Sequence, residues 1–159
     1  MQPTSGEAAI LLICDDEALL RAFAADALQD AGYRVLEARD GAEALAILNF
    51  RDDVVAVFTD VAMPVMNGIM LATIVRARWP HIGVVVTSGA LPDGARLELP
   101  PGARFIRKPY TAGVLVAEIR AVLAAQAGAA VSLQSIPTLQ PGKPHGAGGI
   151  AQPLSEPDE

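Results

Sequence analysis

Three stretches of this chain, Ala8–Cys14, Val54–Thr59 and Gly83–Thr87, are short and almost unbroken apolar runs. A strand with one solvated face alternates apolar and polar residues, whereas a run without alternation needs cover on both faces. Two further β-rich runs, Tyr33–Ala38 and Arg104–Ile106, are shorter or more polar and suit sheet edges. Helical stripes lie between the runs. Leu20, Phe23, Ala24, Ala27 and Leu28 recur at helical spacing after Asp16, a candidate N-cap, and Gly32 stops them. Asp40 is placed to cap a second helix bearing Ala44, Leu45 and Leu48. A third is expected from about Asn67 to Trp79, ending before Pro80, and a last one from near Thr111 with Leu115, Ile119, Val122 and Leu123 on one stripe. Between Leu91 and Pro101, Pro92, Gly94, Pro100 and Pro101 leave room only for a short, irregular fourth helix. Alternating strands and helices predict an α/β fold, a doubly wound five-stranded parallel sheet with right-handed crossovers.

The chain has 159 residues, 52% of them hydrophobic and 19% charged, enough for one domain with a substantial core. A net charge of −6 argues against a large nucleic-acid surface. The lone cysteine, Cys14, cannot form an internal disulfide and sits among apolar neighbours, as an inert core residue does. Met1–Glu7 lacks the basic start and apolar body of a signal peptide, and the apolar runs are strand-length. No membrane association and a cytoplasmic location are therefore expected. From Ala127 glycine, proline, alanine and glutamine dominate without apolar period. Residues 1–7 are accordingly expected to be an extension, 8–126 the domain, and 127–159 a flexible tail.

In doubly wound sheets ligands bind beyond the carboxyl ends of the strands. Asp15, Asp16, Asp60, Thr87 and Lys108 all fall at or just after expected strand ends. The two acidic sites suggest one anionic pocket, able to hold a divalent cation and to present a nucleophilic oxygen. A carboxylate needs no base to act as a nucleophile at neutral pH, because it is already ionised.

Four segments in order, Cys14-Asp15-Asp16-Glu17, Thr59-Asp60-Val61-Ala62-Met63-Pro64-Val65-Met66-Asn67-Gly68, Val86-Thr87-Ser88-Gly89 and Lys108-Pro109-Tyr110, carry a resemblance to the receiver domain of two-component response regulators. The resemblance covers about Ala8 to Ala125. It implies the flavodoxin-like strand order 2-1-3-4-5 and Asp60 as phosphoacceptor. It also implies a Mg²⁺ site made by Asp15, Asp16, Asp60 and the backbone carbonyl of Ala62. Lys108 is then expected to meet a phosphoryl oxygen, Thr87 to offer it a hydroxyl, and Phe105 to act as the switch aromatic, without the hydroxyl of the commoner tyrosine. A cis Lys108-Pro109 peptide is common in the family. Ser88 and Gly89 leave the phosphorus accessible, while Met63-Pro64 and Asn67-Gly68 shape the loop after Asp60.

The expected partners are a histidine kinase or a histidine phosphotransfer protein and a downstream protein target, with no nucleic acid. The expected mode is a stand-alone receiver that signals by protein contact and is not an enzyme beyond its own phosphorylation and dephosphorylation. The alternative is a receiver-like binding module that works without phosphate, against which the complete acidic, threonine and lysine set speaks. A phosphatase of the haloacid-dehalogenase kind typically carries a second aspartate two residues past its nucleophile, where this chain has Ala62. His81 follows Pro80 in a loop and His145 lies in the tail, so neither is a credible phosphodonor, and Trp79 is expected to pack at a helix end.

Overall fold

The computed structural model describes residues 7–89 and 98–134. Five strands, β1 (Ile10–Cys14), β2 (Arg34–Ala38), β3 (Val54–Asp60), β4 (Gly83–Ser88) and β5 (Arg104–Arg107), form one parallel sheet in the order β2-β1-β3-β4-β5. Among the described residues four helices connect or follow them: α1 (Ala18–Asp30), α2 (Gly41–Phe50), α3 (Gly68–Arg78) and α4 (Ala112–Gln134). The flavodoxin-like order implied by the resemblance is thus observed.

The unbroken apolar runs do what their pattern demands. Along β1, Leu12 and Cys14 enter one core with Leu48 of α2 and Leu71 and Val75 of α3. Leu11 and Ile13 enter a second core with Leu28 of α1 and Leu115 and Ile119 of α4. Each large aliphatic side chain so buried contributes about 1.5–3 kcal/mol. The edge strands β2 and β5 are the ones with exposed positions, as their polarity foretold.

The helix ends follow local chemistry. Asp40 accepts a 2.8 Å bond from the Glu43 N–H, and Asn67 one of 2.9 Å from the Met70 N–H. Gly32 takes φ +95° just past α1. The Asp16 cap is corrected: the N-cap is Glu17, and it makes no side-chain cap bond. Asp15 Oδ1 accepts from the Glu17 N–H at 2.9 Å, and this turn delays the helix past Asp16. Trp79 ends α3 and packs on the first core beneath the Arg78 guanidinium, 4.5 Å away.

One boundary differs from expectation. α4 runs through Gln134, beyond the expected tail boundary at Ala127, because Ala124-Ala125-Gln126-Ala127 and Ala129-Ala130 favour helix even without an apolar stripe. The expected irregular fourth helix falls mostly on residues 90–97, and the tail beyond Gln134 on residues 135–159; both lie outside the described residues. One window of α4, Ala112–Ala129, has mean hydropathy 1.4 and is long and apolar enough to cross a membrane by length and composition, a feature the strand-length runs did not reveal. Within it Leu115, Ile119 and Val122 are buried against the sheet.

Candidate functional site

The strand order places the ends of β1, β3 and β4 side by side. Asp60 is the last residue of β3 and is paired in register with Thr87 of β4. The Val61 N–H donates to the Thr87 carbonyl at 3.0 Å, and the Lys108 N–H to the Ser88 carbonyl at 3.1 Å, so the chain leaving each strand stays stitched to its neighbour. The Asp15 N–H is likewise held by the Ala38 carbonyl at 3.1 Å.

These main-chain ties converge the side chains. Asp15 and Asp60 are buried, each 3% exposed, and Asp16 is exposed. One carboxylate oxygen from each of the three lies within 4.8 Å of the others. Lys108 Nζ is 3.2 Å from Asp60 Oδ2, with the lysine side chain 17% and the aspartate 4% exposed. The Thr87 hydroxyl is fully buried and has no hydrogen-bond partner among the described residues. Ser88 is also buried. A buried polar atom left unpaired costs about 1–3 kcal/mol, so Thr87 is an acceptor or donor in waiting.

The loop after Asp60 is built by close approach. The Ala62 N–H donates to Asp60 Oδ1 at 3.4 Å, and the Gly68 N–H to the Val61 carbonyl at 2.9 Å. A Cβ on Gly68 would overlap the Asp60 carbonyl. The Lys108-Pro109 peptide is cis. Phe105 is half-buried and shares a register position with Val86, hence the same face of the sheet.

Electrostatics follow from burial and crowding. The Asp15 carboxyl is raised above the usual carboxylate range, first by desolvation and then by the charges of Asp60 and Asp16, against the opposing Glu17 N–H and Lys108. Burial pushes the Tyr110 hydroxyl up to about 12, helped by Asp15 and Asp60. Burial likewise pushes the Cys14 thiol up to about 12. Cys14 is a core residue as expected, its Sγ 3.5 Å from Met63 Sδ.

Asp15, Asp16, Asp60, Thr87 and Lys108 are therefore brought to one edge, with Ala62 beside them. His81 is an exposed loop residue, and His145 lies outside the described residues. Two residues that the sequence analysis gave no role of their own contribute here. Tyr110 packs edge-on against Phe58, ring centroids 5.7 Å apart, and beside Phe23 at 5.9 Å. With Leu20, Gly89, Lys108 and Pro109, Phe23 and Tyr110 line an apolar groove of about 540 Å³ next to the acidic site. Arg21, the one basic residue of α1, donates from Nη1 to the Asp15 carbonyl at 2.8 Å. Its only signal in the sequence is a charge beside an apolar stripe.

The three clustered carboxylates form a hard, all-oxygen donor set of the kind that suits Mg²⁺. Comparison with known proteins gives the arrangement its family. A sequence profile of the response regulator receiver domain matches residues 11–120. The sensor kinase CckA of Brucella abortus is 36% identical over 125 residues, which are 77% of this chain but only 13% of that protein. The chemotaxis protein CheY1 of Helicobacter pylori is 33% identical over 121 residues, 71% of this chain and 95% of that one. Among solved structures, a receiver domain protein from Clostridium thermocellum superposes with a TM-score of 0.70 at 28% identity, covering 76% of this chain and 98% of that one. The receiver domain of the hybrid histidine kinase CckA gives 0.62 at 30%, covering 72% and 98%. The chain belongs to the response regulator receiver domain family of two-component signalling.

Proposed function

We propose that this receiver accepts a phosphoryl group on Asp60 and signals by protein contact. The supporting observation is the placement of Asp60: buried, 3.2 Å from Lys108 Nζ, clustered with Asp15 and Asp16, and in register with the unpaired Thr87 hydroxyl. The donor is a phosphohistidine on a histidine kinase or a phosphotransfer protein. An Asp60 carboxylate oxygen forms the new O–P bond. The P–N bond breaks with its electron pair going to the imidazole, which leaves neutral when its other nitrogen carries a proton. Water later cleaves the aspartyl phosphate, releasing inorganic phosphate and restoring the carboxylate.

Asp15, Asp16, Asp60 and the Ala62 carbonyl would hold Mg²⁺, which when bound neutralises charge on the transferring group. Lys108 exchanges its Asp60 partner for a phosphoryl oxygen, acting as a fixed positive charge. The Thr87 hydroxyl gains its missing partner by donating to the same group. Phe105, half-buried on β5, then turns inward as the switch aromatic, and the added charge biases a two-state surface. A cytoplasmic setting and a kinase-pathway role without DNA binding complete the reading.

Acetyl phosphate labelling tests this. Wild type is expected to gain one Mg²⁺-dependent, alkali-labile phosphoryl group and Asp60→Asn none; persistent labelling of the variant refutes the assignment. Lys108→Ala is expected to keep cation binding and lose the conformational response to phosphorylation.

A further inference from the structure

Arg21 sits in the first turn of α1 with its side chain only 16% exposed. Nη1 donates to the Asp15 carbonyl at 2.8 Å, and Nε to Glu37 Oε1 of β2 at 3.2 Å. The Asp15 carbonyl and the Asp16 nitrogen belong to one planar peptide. The Asp15 N–H is already bound to Ala38. The main chain of Asp15 is therefore clamped on both sides, and the peptide that carries Asp16 is fixed by a guanidinium. Asp16 needs this. It is exposed, and no hydrogen bond holds its carboxylate among the described residues, yet its oxygen lies within 4.8 Å of those of Asp15 and Asp60.

We propose that Arg21 is a positioning residue for the cation site, orienting Asp16 through the Asp15-Asp16 peptide, with Glu37 holding the guanidinium in place. The inference rests on the functional reading above. The mode of action is geometric: the guanidinium meets the main-chain carbonyl of Asp15.

Mn²⁺ binding to the full chain, followed by electron paramagnetic resonance, reads the effect without any phosphoryl chemistry. Arg21→Ala is expected to weaken Mn²⁺ binding about tenfold, as loss of a residue that orients ligands does. Acetyl phosphate labelling of the same variant is expected to need more Mg²⁺ for half-saturation and to reach the wild-type maximal rate when Mg²⁺ saturates. Glu37→Gln, which keeps a hydrogen-bond acceptor, is expected to bind nearly as wild type does. Unchanged Mn²⁺ affinity in a folded Arg21→Ala overturns the proposal, as does a lowered maximal rate that Mg²⁺ cannot restore. If Arg21→Ala does not fold, Arg21→Lys decides. A lysine keeps the charge but lacks the planar fork whose two nitrogens meet Asp15 and Glu37 separately, so weaker binding supports the proposal and equal binding overturns it. Absence of Mn²⁺ binding by wild type would sink the functional reading and this proposal together, whereas wild-type binding with indifferent Arg21 variants sinks this proposal alone.

Discussion

Val65 stands at φ 68° with its side chain fully exposed, in the loop that follows Asp60. The Met66 N–H donates to the Pro64 carbonyl at 2.8 Å and closes a three-residue turn around it. A β-branched residue held in this region costs about 1–3 kcal/mol, and no burial of its side chain offsets that. Val65→Gly is therefore expected to raise stability by about 1 kcal/mol, net of the extra freedom glycine gains when unfolded. Urea denaturation checks it, and a lower midpoint would contradict the strain. Other single residues were legible beforehand. Asp60, Asp15 and Thr87 announce themselves because each ends or directly follows an apolar run, and Lys108 because it lies just past the last β-rich run; strand ends are where such sheets place ligands. The roles of Arg21 and Tyr110 were not legible. Arg21 matters through a carbonyl six positions earlier, and Tyr110 through rings on α1 and β3, contacts that no local pattern encodes.

At the scale of elements, the periods gave the type and approximate place of each strand and helix among the described residues, and Asp40 was readable as a cap, whereas the Asn67 cap emerged only in the structure. The ends were less readable, since they depend on which of several polar groups wins a main-chain partner. Asp15 took the Glu17 N–H and displaced Asp16 from the cap of α1. α4 outran its apolar stripe on alanine propensity alone. The start of α3 is the most constrained junction, because Gly68 is pressed against the carbonyl of Asp60. Gly68→Ala would improve helix propensity in isolation, yet it is expected to destabilise the fold by at least about 2 kcal/mol through steric overlap. It is also expected to slow acetyl phosphate labelling by displacing Asp60. A variant as stable and as readily labelled as wild type would show that the loop yields at no cost.

On the scale of the whole molecule, two cores sandwich one sheet, and both bury groups that resist ionisation. The Cys14 thiol moves from 9.0 to about 12 in the folded protein, chiefly by burial. An unfolded chain releases that proton near pH 9 and a folded one does not. The stability the neutral thiol confers is therefore full below pH 9 and is lost as pH rises through about 12. Cys14→Ala is expected to flatten the alkaline limb of the stability profile relative to wild type, measured by urea denaturation between pH 9 and 11; an identical limb would count against the burial effect. The sequence by itself determined the α/β class, the five strands and the strand ends at which charge collects, because hydrophobic period and turn chemistry are properties of neighbours along the chain. Only the tertiary structure decided that Lys108 lies 3.2 Å from Asp60, that the Thr87 hydroxyl is buried without a partner among the described residues, and that Arg21 grips the acidic turn. Those are distances between segments far apart in sequence, fixed by strand order and helix packing, and a periodicity carries no information about distance across a sheet.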